Sequence, residues 1–161
     1  MIDIMNTDSR SVRLKTLVDS ITGATGWTFS LDDFDDRVRL QKYVFLAEAF
    51  GFEHEYEYNM YHYGPYSPAL AEDYYSDTFA ATVTNESLLS AVDTDSFFEL
   101  VSGRSREWLE VAATIKSLNA KYGRSEAGGK SHVVNRTRTL KDVSPDDADR
   151  IYSELESFGV V

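Results

Sequence analysis

Gly51-Phe52-Glu53-His54-Glu55-Tyr56-Glu57-Tyr58-Asn59-Met60-Tyr61-His62-Tyr63-Gly64-Pro65-Tyr66-Ser67-Pro68 changes period twice, and the change decides the fold class. Before Gly51 the chain is apolar almost all round after Gln41 (Tyr43, Val44, Phe45, Leu46), the pattern of a buried central helix that the glycine stops. From 53 to 60, Glu53, Glu55 and Glu57 alternate with Tyr56, Tyr58 and Met60, the period of a half-buried strand. Tyr63-Gly64-Pro65-Tyr66 is a turn. Ser67 as N-cap and Pro68 at the first helical position then begin a helix with Leu70, Ala71, Tyr74 and Tyr75 on its inner face.

Working outward, Leu14, Leu17, Val18 and Ile21 mark a first helix from about Thr7 to Ile21, followed by a Gly/Thr-rich linker carrying Trp27 and Phe29. Asp32, Asp33, Asp35 and Asp36 fall at the start of the second helix, where negative charge complements the macrodipole. Beyond residue 76, Phe79 to Thr84 reads as a short strand and Ser96 to Glu99 as a capping box. Trp108, Val111, Ile115, Leu118 and Tyr122 place a long helix from about Ser105. A glycine-rich loop (Gly123 to Gly129) leads to a helix over Ser131 to Leu140. Ser144, Pro145 and Asp147 open a last helix that Gly159 closes. The fold expected is mainly α, an α+β arrangement with a two- or three-stranded sheet. The helix-helix-strand-turn-helix order fits a winged-helix-like N-terminal half. One domain over 1–161 is expected, divisible into lobes of about 1–102 and 103–161.

Composition narrows the function classes. The chain has no cysteine, which excludes disulfide scaffolds, thiolate zinc sites and cysteine nucleophiles. Its start, Met1 to Asp8, is polar and acidic, and no apolar run reaches the ~20 residues a membrane span needs, so a cytoplasmic protein with no membrane partner is expected. Net charge is −11, from 27 acids against 16 bases. Such a surface suits a cytoplasm of molar salt, where the Debye length is about 3 Å, and a halophilic host is expected; the rival explanation is an acidic face for a basic partner.

Catalytic and metal patterns are weak. Gly129-Lys130-Ser131 lacks the upstream glycine and the strand of a phosphate-binding loop. His54 and His62 are too far apart in a strand to share a metal and read as a solvated edge. The aspartates at 32 to 36 lack the glycine and terminal glutamate of a calcium loop. No cofactor, metal or catalytic residue is assigned. Two features remain. Seven tyrosines fall between Tyr56 and Tyr75, where Tyr61, Tyr63 and Tyr66 either wedge a strand-to-helix corner or form an interface. From Lys116 to Lys141 there are seven bases and one acid, a local surplus that could bind phosphate, meet an acidic partner or dock on the protein's own acidic face.

The blocks Arg39-Leu40-Gln41-Lys42-Tyr43-Val44-Phe45-Leu46, Gly51-Phe52, Tyr61-His62-Tyr63-Gly64-Pro65-Tyr66-Ser67-Pro68-Ala69-Leu70 and Trp108-Leu109-Glu110-Val111-Ala112-Ala113-Thr114-Ile115 resemble the YwgA-like family of bacterial and archaeal proteins. More distantly, the leucine-glutamine-lysine helix and the tyrosine-glycine-proline turn over residues 39 to 70 are similar to the Panacea domain, the antitoxin-like domain that includes the adaptor SocA; Tyr66 stands where that pattern has valine. The resemblance implies a largely helical fold and, at the level of the Panacea domain, a role in binding and neutralising or presenting another protein. It implies no active site. The leading expectation is a non-catalytic regulatory or antitoxin-like module whose protein partner meets Tyr61, Tyr63, Gly64, Pro65 and Tyr66. The alternative is a DNA-binding regulator with Lys130, Arg136 and Arg138 on phosphates, and a third reading is a metal-dependent hydrolase using Asp32 to Asp36.

Overall fold

The computed structural model describes residues 2–123 and 129–161, with side chains from residue 10 onward. The described residues contain seven α-helices, two short 3-10 helices (Glu48–Phe50 and Glu86–Leu89) and one two-stranded sheet. The α-helices are α1 (Ile2–Thr25), α2 (Phe34–Ala47), α3 (Pro68–Tyr75), α4 (Thr94–Val101), α5 (Arg106–Tyr122), α6 (Gly129–Lys141) and α7 (Pro145–Ser157). The fold is mainly α with a small antiparallel sheet, as the sequence predicts. Strands β1 (Asn59–Tyr61) and β2 (Gly64–Tyr66) pair with Tyr61 opposite Gly64 and Asn59 opposite Tyr66. The hairpin lies between α2 and α3 in the chain and rests on both α2 and α5.

Two helices organise the core. Every residue of α2 from Leu40 to Ala47 is buried, which the all-round apolar run predicts. In α5 the run Trp108 to Ile115 is buried without a break, and α5 packs against α2, α6, α7 and β2. One cluster of buried apolar side chains runs through Leu14, Leu40, Phe97, Leu109 and Leu155. The linker aromatics join it: Trp27 stands edge-on to Tyr43 at 5.0 Å, and Phe29 edge-on to Tyr74 at 5.6 Å.

Helix starts follow local chemistry. Ser67, Ser105 and Ser144 each accept from a backbone N–H three residues on, so the serine-proline starts of α3 and α7 are where the sequence puts them. The acidic segment also behaves as expected. Asp33 caps α2 by accepting from the Asp36 amide, and Asp35 and Asp36 sit in its first turn.

Other expectations are corrected. Phe79 to Thr84 forms turns and no strand: Phe79 N and Thr82 N are bonded to oxygens three residues back. The capping box at Ser96 gives way to Asp93, which accepts from the Ser96 amide and starts α4 at Thr94. Between 53 and 58 the chain is extended without a ladder. Its alternation of exposed glutamates with buried Tyr56 and half-buried Tyr58 is nonetheless present, because the tyrosines pack onto the helices instead of a sheet. Residues 124–128, the greater part of the expected glycine-rich loop and the position of Arg124, lie outside the described residues.

Candidate functional site

The second strand of the hairpin and the residue after it are fastened from beneath by two adjacent side chains of α2. Gln41 is buried and reads both backbone groups of one residue: its Nε2 donates to Ser67 O at 3.0 Å and its Oε1 accepts from Ser67 N at 2.9 Å. An amide side chain here replaces a missing strand partner, satisfying backbone groups that burial would otherwise leave costly. Lys42, 1% exposed, donates from Nζ to Pro65 O at 2.7 Å. Burial lowers its pKa to about 8; Glu110 pulls it back up and Lys141 adds to the lowering.

Glycine is required at position 64. Its φ is +98°, and a Cβ there would stand 3.1 Å from Thr114 Oγ1 and 3.5 Å from Glu110 O. The hairpin therefore lies directly on α5, and its outer side carries the exposed aromatics. Gly64 and Pro65 are buried and Tyr66 is half-buried, whereas Tyr61 is 51% and Tyr63 40% exposed. Tyr63 meets Phe34, itself 44% exposed, edge-on at 5.2 Å; Tyr61 meets Tyr66 at 5.4 Å. Arg37 bridges Phe34 and the exposed Tyr75, with its guanidinium 5.8 Å and 6.0 Å from their rings. Gly64 and Pro65 shape the corner, and Tyr61, Tyr63, Phe34 and Met60 present an open aromatic face.

A second polar anchor holds the other end of the extended segment. Asp73, buried, takes Arg10 through two bonds of 2.7 and 2.9 Å and the Tyr56 hydroxyl at 2.6 Å. Burial and the adjacent Asp73 carboxylate push the Tyr56 phenol far above its ordinary range. His54 is not at a solvated edge: its imidazole is buried. Nδ1 accepts from the Tyr56 amide at 3.0 Å, and Nε2 lies 2.6 Å from Glu48 Oε1. Burial alone would raise the Glu48 carboxyl, but hydrogen bonds from His54 and Lys116 outweigh it and leave it below the usual range.

Three of the seven bases in the basic segment lie near the protein's own acids. Lys116 binds Glu48 at 2.5 Å, Lys130 lies 3.3 Å from Asp149, and Lys141 lies 3.9 Å from Glu110. Arg136 and Arg138 are exposed on α6. The aspartates at the start of α2 are similarly engaged. Asp36 accepts from Trp27 Nε1 and Ser30 N, and Asp35 accepts from Arg39. Among the described residues, no group of three or more histidine or acidic side chains is arranged to hold a metal ion. No helix among them is long and apolar enough to cross a membrane.

The clamp residues Gln41 and Lys42 and the anchor Asp73 are what sequence reasoning missed. The signal was present in the leucine-glutamine-lysine run, since polar side chains inside an otherwise apolar helix need buried partners. Comparison with protein-family models, with curated proteins and with solved structures finds no match for this chain.

Proposed function

We propose that this chain is a non-catalytic regulatory or antitoxin-like module that binds a protein partner through the aromatic face around Tyr61 and Tyr63. The observation that supports the reading is a juxtaposition. Large exposed aromatics sit on a hairpin whose base is fixed by buried polar contacts from Gln41 and Lys42. Tyrosines on a rigid base bind with little ordering cost, and aromatic side chains of this kind dominate interface energetics.

The test is purification of the tagged chain from its native host at native salt, with and without nuclease, followed by mass spectrometry of what accompanies it. A stoichiometric protein that survives nuclease is the expected result. The second reading, nucleic-acid binding, draws on the exposed Arg136 and Arg138. Nuclease-sensitive absorbance with no protein partner would favour it and remove the first. In that case affinity falls with the logarithm of salt concentration, and charge reversal at both arginines flattens the slope.

A further inference from the structure

Beside the hairpin tip, the end of α6 and the start of α7 meet α5 around an open cleft of about 640 Å³. Its rim includes His62 and Tyr63, so it is continuous with the aromatic face. Trp108, Val111 and Ile151 form apolar walls of the kind that accept a methylene stem. Four carboxylates line it, Glu107, Glu110, Asp142 and Asp147, against two cations, Lys141 and Arg150. Arg150 is already bonded to Asp147 at 3.0 Å. The lining therefore carries an excess of negative charge.

Glu110 is the unusual member. Its side chain is only 8% exposed, and its Oε1 is buried with no hydrogen-bond partner. The nearest cation, Lys141 Nζ, stands 3.9 Å from that oxygen, too far for a hydrogen bond. Burial raises the Glu110 pKa, with Lys141, Arg106 and Lys42 pulling the other way. A buried carboxylate without full compensation is costly, and a cation delivered beside it relieves that cost. The indole Nε1 of Trp108 is likewise buried and unpartnered. An apolar-walled cleft with surplus carboxylates and an under-satisfied glutamate selects a long, flat cation. Guanidinium meets these demands better than ammonium, because it pairs with carboxylate through two donors and stacks on aromatic rings.

We propose that this cleft receives the side chain of an arginine presented by the protein partner, with its guanidinium at Glu110 and its stem against Trp108. The inference rests on the protein-partner reading and adds the residue that the partner must supply. A carboxylate sheltered in the cleft is screened less by salt than a surface one, so recognition persists where surface pairs fade.

The experiment uses Nα-acetyl-arginine methylamide as probe, titrated into the isotopically labelled full chain at neutral pH and followed by heteronuclear NMR. The neutral isostere Nα-acetyl-citrulline methylamide is the control. Saturable shifts centred on Glu110 and the Trp108 indole are expected, with the citrulline probe at least about tenfold weaker. Glu110→Gln should weaken the arginine probe by a similar factor. Asp142→Asn provides a second variant on a fold-neutral footing, because Asp142 has a φ of +50° that asparagine tolerates well; it should weaken the probe about threefold. Equal response to citrulline, shifts located elsewhere, or wild-type binding by Glu110→Gln would overturn the proposal. Tyr61 does not line the cleft, so Tyr61→Ser separates the two ideas. Loss of the cellular partner with intact probe binding leaves the cleft standing alone. Retained partner with no probe binding removes the cleft and spares the aromatic face.

Discussion

Replacing Lys42 by methionine removes a buried ammonium and keeps the side chain's volume. At neutral pH the native state carries this charge against its preference: burial lowers the pKa from 10.5 to about 8. At about 1.4 kcal/mol per pH unit, that is a cost of about 3 kcal/mol below pH 8. Methionine escapes the cost but leaves the Pro65 carbonyl without its donor, a loss of about 1–3 kcal/mol. The two terms nearly cancel, so stability at a single pH decides little. The pH dependence decides more. Because the folded pKa lies below the unfolded one, the unfolded chain holds more protons between about pH 8 and 10.5, and stability from this group rises with pH across that window. Wild type should therefore gain about 2 kcal/mol on Lys42→Met between about pH 7 and pH 9.5. Urea unfolding of both proteins at matched ionic strength measures this. The difference between them cancels the buried tyrosines, whose raised pKa values act in the opposite sense above pH 10. A difference that stays flat over this range would mean that Lys42 is not a charged group held at a cost.

Gly64→Ala should cost about 1–3 kcal/mol, since it combines a φ of +98° with a contact at 3.1 Å against Thr114; thermal melting reads the loss, and partner capture should fall with it. Asp73→Asn removes the charge that two Arg10 bonds require while leaving an acceptor for Tyr56. We expect a loss of about 2 kcal/mol, below the value for a fully buried pair because Arg10 is partly exposed, and an unchanged urea midpoint would contradict the anchor role.

Much of the fold is legible in the sequence because local chemistry and burial agree. The serine-proline starts at Ser67 and Ser144 are reproduced, and the apolar run after Gln41 is the buried centre of the molecule. The failures occur where long-range packing overrides local pattern. Residues 53 to 58 alternate like a strand, but their tyrosines find helices and a carboxylate, and the ladder shrinks to three residues a side. At the candidate site the aromatic character of the corner is visible in composition, whereas its rigidity is not. Gln41 binds a residue 26 positions away and Lys42 one 23 positions away, contacts that periodicity does not encode. The basic segment shows the same limit: spacing leaves open whether its bases share one surface, and in three dimensions Lys116, Lys130 and Lys141 lie near the chain's own acids while Arg136 and Arg138 are exposed.

Calorimetric binding of the co-purified partner to wild type and to Tyr61→Ser/Tyr63→Ser decides whether the aromatic face is the partner's site. The double variant alters only exposed side chains, so its melting temperature should stay close to wild type. Affinity should fall at least about 30-fold, on the order of 2 kcal/mol for truncated interface aromatics. Unchanged affinity in a folded double variant would contradict the aromatic-face reading and place the partner on another surface.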